Sequence, residues 1–86
     1  MSDAYIHLGW DAVVPLSSVM YILDLDTATR QPATREFLNA AVRENRLFEI
    51  APDMPRSAVV CLEKGKTVVY ISKLSPAAIK GRMEKL

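Results

Sequence analysis

The chain has very little of the chemistry on which enzymes and disulfide-stabilised proteins depend. Its 86 residues include one cysteine, one histidine and three glycines. Cys61 alone cannot form a disulfide within the chain, and His7 alone leaves a general base without a second positioned group. Gly9, Gly65 and Gly81 form neither of the glycine-rich loops that bind nucleotide phosphates. We therefore expect a protein without catalytic machinery, cofactor or metal of its own.

Long apolar runs and a basic N-terminal segment are also missing. Half of the residues are hydrophobic, yet no run reaches the ~20 residues that a membrane-spanning helix needs. The first five residues contain no Lys or Arg with which a signal peptide could begin. Cys61 lies in an apolar run, as a buried cysteine does in a reducing compartment. These features predict one soluble domain over residues 1–86, located in the cytoplasm and without a membrane partner.

Basic residues are absent from the first third of the chain. Residues 1–29 contain four Asp and no Lys or Arg, whereas residues 56–86 contain seven Lys or Arg against two Glu. The net charge of the whole chain is nevertheless only +1. This asymmetry favours either head-to-tail contacts between copies or an anionic partner at the basic end.

Patterns typical of short strands and of two amphipathic helices cover most of the chain. Strand patterns cover residues 4–8, 12–16, 19–23, 47–50, 58–62 and 67–72, with loops predicted at 26–32 and 52–55. Pro15 places the second strand at an edge or ends it, and Gly65 can take the positive φ of a tight hairpin turn.

Helical periodicity covers residues 33–45 and the C-terminal segment that begins at Ser75. In the first helix the predicted apolar face consists of Phe37, Leu38, Ala41 and Val42. The second helix combines an N-cap serine, Ser75, with a proline at the first helical position. Its predicted apolar stripe is formed by Ile79, Met83 and Leu86.

The pattern predicts an α+β fold, with a small antiparallel sheet of five to six strands and two helices. Several strands, such as residues 19–23 and 58–62, are apolar at consecutive positions, so both of their faces should be covered. Two short helices can cover only about one face of such a sheet. We therefore expect a second copy of the chain to cover the other face, the alternative being a two-sided core within a monomer.

Three further residues are weaker candidates for a functional role. Asp24 and Asp26 lie on the same side of an extended segment and could bind a hard cation. Two carboxylates fall short of the six or more oxygens that calcium takes, however, so a solvated strand end is favoured. Trp10 could be a stacking platform or an interface anchor, but a residue folded over the edge of the core fits equally well.

The basic end of the chain supplies candidates for phosphate binding. The residues concerned are Arg56, Lys73, Lys80 and Arg82. Several such contacts would give salt-dependent DNA binding of weak sequence selectivity, and oligomerisation would repeat the patch. An ordinary solvated face is the alternative, because surfaces of this charge are common.

Segments along nearly the whole chain resemble the small bacterial extracellular matrix regulatory proteins of the RemA/RemB family, and more the RemB type. They are Tyr5-Ile6-His7-Leu8-Gly9, Val13-Val14-Pro15, Ile22-Leu23-Asp24, Thr34-Arg35-Glu36-Phe37-Leu38, Pro55-Arg56-Ser57-Ala58-Val59-Val60, Val69-Tyr70-Ile71-Ser72 and Lys73-Leu74-Ser75 through Arg82.

The resemblance implies a non-enzymatic, ring-forming or otherwise multimeric DNA-binding transcriptional regulator, whose RemA-type members act on biofilm matrix genes. RemA-type members have adjacent arginines in the loop before the penultimate strand. This chain has Met54-Pro55-Arg56 there, so only Arg56 can stand for that basic element. The leading hypothesis is thus a homo-oligomer that binds double-stranded DNA. The alternative is an assembly or adaptor protein that oligomerises without nucleic acid.

Overall fold

The computed structural model describes residues 4–9, 12–50 and 53–85, and these residues form six strands and three helices. The strands are β1 (Tyr5–Gly9), β2 (Ala12–Pro15), β3 (Val19–Asp24), β4 (Leu47–Glu49), β5 (Ser57–Glu63) and β6 (Lys66–Ser72). The helices are α1 (Leu25–Ala28), α2 (Pro32–Arg43) and α3 (Pro76–Glu84). This content confirms the α+β class, but α1 is additional to the two expected helices and lies largely within the predicted loop at residues 26–32.

The strands divide between two sheets rather than forming one. An antiparallel hairpin of β1 and β2 stands apart from a four-stranded sheet of order β3-β5-β6-β4. Strands β3, β5 and β6 are antiparallel neighbours, but β4 runs parallel to β6, with Leu47 opposite Val69. The expectation of a wholly antiparallel sheet was wrong at β4. A short link favours antiparallel pairing only between strands that become neighbours, and β4 is not adjacent to β5.

Two local predictions are confirmed by backbone geometry and capping. Lys64 and Gly65 both have positive φ, +52° and +80°, as a two-residue type I′ turn between β5 and β6 requires. At the start of α3 the Ser75 hydroxyl accepts a hydrogen bond of 3.1 Å from the Ala78 N–H. Proline follows that cap at the first helical position, where its missing N–H costs nothing.

Helix α2 ends at Arg43, two positions before the predicted end, and is followed by a left-handed residue, Asn45. Asn45 has φ +58°, its N–H donates to the Val42 carbonyl, and the Arg46 N–H donates to the Ala41 carbonyl at 2.8 Å. These two bonds define a Schellman motif, which satisfies the last carbonyls of the helix. The predicted apolar face was wrong at Val42, which is 57% exposed, because the buried side of α2 is centred on Phe37, Leu38 and Ala41.

The four-stranded sheet is covered on both faces by elements of the same chain. On one face the hairpin and α3 pack against the sheet, and the buried residues are Ile6, Leu8, Val14, Val59, Cys61 and Ile79. On the other face α2 packs against the sheet, and the buried residues are Ala41, Ala58, Val60, Val69 and Ile71. The structure thus has the two-sided core within one chain that was the alternative, and the burial of the sheet does not require a second copy. The hairpin that was expected to extend the sheet lies on top of it instead.

No helix within the described residues has both the length and the apolar composition to cross a bilayer.

Candidate nucleic-acid interface

Arg56 and Lys73, two of the four predicted phosphate contacts, lie side by side at one end of the β5–β6 pair. Ser57 pairs with Ser72 at the last rung of this ladder, and the Arg56 N–H donates to the Ser72 carbonyl at 2.8 Å. Arg56 directly precedes β5 and Lys73 directly follows β6, so the two cations are neighbours at this end of the sheet. Both residues are exposed. The fold brings together in space two residues that are 17 positions apart in the sequence.

Acidic residues accompany these two cations. The Leu25 N–H donates to the Arg56 carbonyl at 3.0 Å, which places Asp24 and Asp26 beside the same loop. Asp24 Oδ1 accepts a hydrogen bond of 2.9 Å from the Asp26 N–H and so caps α1. Within the described part of the chain, neither Arg56 nor Lys73 forms an ion pair. The nearby carboxylates therefore lower the net positive charge at this end of the sheet, although none of the described ones forms an ion pair with Arg56 or Lys73.

The two remaining candidates, Lys80 and Arg82, do not share a surface with each other. Residues two apart on an α-helix are separated by about 200° around its axis. Arg82 faces the hairpin, where its Nη1 donates to the His7 carbonyl at 3.2 Å, whereas Lys80 is exposed on another side of α3. One flat DNA surface could contact at most one of them. The fold thus brings Arg56 and Lys73 together and places Lys80 and Arg82 on different sides of α3.

The side chains considered for chemistry are placed as follows. His7 is exposed on the outer face of β1, as predicted. Cys61 is buried as predicted, and that burial raises the pKa of its thiol, opposed by a hydrogen bond with Ser18. The thiolate is the reactive form, so this cysteine is a poor nucleophile at neutral pH.

The cation site considered at Asp24 and Asp26 gains no further ligands among the described residues. In residues 4–9, 12–50 and 53–85, no three His, Cys, Asp or Glu side chains are placed to hold a metal ion. Trp10, Pro52 and Leu86 lie outside the described residues, so the predictions made for them stay predictions.

A second basic site, which the sequence did not indicate, lies at the opposite end of the β5–β6 pair. Arg46 Nη1 donates to the carbonyl and to the hydroxyl of Thr67, at 2.7 and 2.6 Å. Its Nε donates to Glu44 Oε1 at 3.1 Å. No local motif marks Arg46, because the contact that positions it joins residues 21 apart in the sequence. The Schellman motif that its own N–H completes is the one signal at the level of single elements.

No protein-family model matches the chain, and no curated protein matches it significantly, so the resemblance to the RemA/RemB family stays a hypothesis.

Proposed function

We propose that this chain is a non-enzymatic, homo-oligomeric regulator that binds double-stranded DNA, of the kind that acts on extracellular matrix genes. The observation that carries the proposal is the adjacency of Arg56 and Lys73, exposed and without an ion pair in the described residues. Neighbouring strands lie about 5 Å apart, so two cations at adjacent strand ends can contact phosphates of the same backbone. Such contacts fix a protein on the duplex and carry little sequence information.

Several copies are needed for useful affinity in this proposal. Asp24 and Asp26 lie beside Arg56, so one copy presents little net positive charge at this end. Each phosphate contact releases condensed counterions, and contacts from linked copies act together on one DNA molecule. Cytoplasmic location and the absence of a cofactor belong to the same proposal.

A gel-shift salt titration with duplex DNA tests this function. Arg56→Gln and Lys73→Gln should each reduce the slope of log affinity against log salt by about 0.9 for every copy that contacts the DNA. The matched control is Lys85→Gln, which removes the same charge from the exposed residue that directly follows α3. Absence of binding at low salt, or an equal loss in all three variants, would contradict the proposal.

The second candidate is self-assembly without DNA, and the outer edge of β3 favours it. Among the described strands, β3 pairs only with β5, so the N–H and C=O groups of its other edge are open to another chain. Tyr21 and Leu62, 45% and 48% exposed, share the sheet face that α2 covers only in part. Exposed apolar residues next to an open strand edge are typical of a contact surface between chains.

Light scattering coupled to size exclusion separates these two candidates. Tyr21→Lys places a charge at the open edge of β3 and should reduce the measured mass to that of one chain. Val42→Lys, at an exposed apolar position on α2, is the matched control and should leave the mass unchanged. DNA should increase the mass of the complex under the first proposal and leave it unchanged under the second.

A further inference from the structure

A pocket lies between the end of α2 and the turn that joins β5 and β6. It is lined by Glu44, Arg46, Lys66 and Thr67 and has a volume of about 390 Å³. The pocket is an open depression, so a ligand bound there would stay partly exposed to solvent. Its lining residues include two cations, one carboxylate and one hydroxyl, and this set suits a small anion.

Arg46 is held in this pocket by both its backbone and its side chain. Its N–H donates to the Ala41 carbonyl and its carbonyl accepts from the Val69 N–H, each at 2.8 Å. Its Nη1 and Nε donate to Thr67 and Glu44, and the side chain is only 18% exposed. A guanidinium fixed in this way loses little conformational entropy when it binds a ligand.

One edge of this fixed guanidinium remains available. Nη2 of Arg46 has no hydrogen-bond acceptor in residues 4–9, 12–50 and 53–85. Lys66, next to Thr67, is an exposed residue that also lines the pocket. It lies opposite Glu63 in the β5–β6 ladder but forms no ion pair in that part of the chain. A purely structural role of Arg46 explains its bonds to Thr67 and Glu44, but neither the available Nη2 edge nor the second cation beside it.

We propose that this pocket binds a small phosphomonoester, with Arg46 Nη2 and Lys66 as the donors to its phosphate. Guanidinium and ammonium donors bind phosphate oxygens through short, charge-assisted hydrogen bonds. Glu44 accepts from Arg46 Nε, and Glu63, opposite Lys66, accepts from the Tyr70 hydroxyl. Both neighbouring carboxylates are thus engaged in hydrogen bonds, and a dianion is attracted to the two cations more strongly than a monoanion. Because the pocket is open on one side, the organic group of the monoester can extend from it into solvent.

This site is separate from the proposed DNA contacts. Arg56 and Lys73 lie at one end of the β5–β6 pair and Lys66 lies at the other. Seven-residue strands are about 23 Å long. A phosphate ligand in the pocket therefore does not occupy the Arg56–Lys73 surface, and either proposal can fail without the other.

An NMR titration of the full chain with inorganic phosphate tests the assignment, with sodium chloride of equal ionic strength as the reference. Phosphate should cause saturable shifts of the backbone amides of Lys66 and Thr67, whereas chloride should not. Lys66→Gln, at an exposed position, should weaken phosphate binding about tenfold, the effect of losing one charge-assisted hydrogen bond. Lys85→Gln removes the same charge elsewhere and should change the affinity less than about twofold.

Three results would overturn the assignment. The first is the absence of saturable shifts with phosphate, and the second is an equal effect of the Lys66 and Lys85 substitutions, which would indicate general electrostatics. The third is a preference for diesters or DNA. It would be seen as larger amide shifts with dimethyl phosphate, a diester, than with phosphate, or as reversal of the phosphate-induced shifts by duplex DNA. That result would make the pocket a nucleic-acid contact instead of a site for a small monoester.

Discussion

Ser57 and Ser72 face each other across β5 and β6, and both are fully buried. Only the Ser72 hydroxyl forms hydrogen bonds within the described residues. The Ser72 hydroxyl donates to the Leu8 carbonyl at 2.6 Å and accepts from the Leu74 N–H at 3.1 Å. It thereby ties the hairpin to the sheet next to the Arg56–Lys73 surface. The Ser57 hydroxyl has no partner among the described residues.

Alanine substitutions of these two serines should affect the free energy of unfolding differently. Ser72→Ala should lower the free energy of unfolding by about 1 to 3 kcal/mol, because it leaves buried groups of Leu8 and Leu74 without their partner. Ser57→Ala removes an unsatisfied hydroxyl and should leave the free energy unchanged or raise it by up to about 1 kcal/mol. Urea unfolding followed by circular dichroism measures both. A loss of similar size in Ser57→Ala would mean that a bound water satisfies that hydroxyl.

At the scale of single elements, the sequence was a good guide wherever the determining interactions are local. The Lys64–Gly65 turn and the Ser75 cap depend on neighbours within three residues, and both were predicted correctly. The parallel pairing of β4 with β6 and the bond from Arg46 to Thr67 join segments about 20 residues apart. Periodicity describes the faces of one element and contains no information about which distant element it meets.

Asn45 is an element-scale feature whose energetic role can be measured. Asn45→Ala should lower the free energy of unfolding by about 1 kcal/mol, because a Cβ-bearing residue without a polar side chain adopts positive φ at a cost. Asn45→Gly should be neutral or stabilising, since glycine is the usual residue at this position of a Schellman motif. Asn39→Ala, at an exposed position within α2, is the control and should be neutral or slightly stabilising.

Thermal and urea unfolding of these three variants give the comparison. Equal destabilisation by the glycine and alanine substitutions at position 45 would show that the Asn45 side chain contributes through a contact rather than through backbone conformation. The stability of these variants also bears on the proposed phosphate pocket. Arg46 lines that pocket, follows Asn45 directly and completes the Schellman motif with its N–H.

At the scale of the whole molecule, the consecutive apolar residues of β5 correctly predicted a strand with both faces buried. They did not predict what buries them. Val59 and Cys61 face the hairpin and α3, while Ala58 and Val60 face α2. Because the hairpin leaves the sheet and covers it, one chain supplies both layers, and the core no longer provides an argument for an oligomer. The argument for self-assembly now depends on the edge of β3 and on the family resemblance.

This arrangement predicts that a single chain is folded without a partner. The Tyr21→Lys variant, or the wild-type chain diluted until light scattering shows one chain, should unfold in one cooperative thermal transition. Its amide spectrum should be as dispersed as that of the wild type, because Tyr21 lies outside the two buried clusters. An obligate oligomer behaves differently, since it has no stable folded monomer. A monomer that loses its cooperative transition, while the Val42→Lys control keeps it, would show that a second copy completes the core after all.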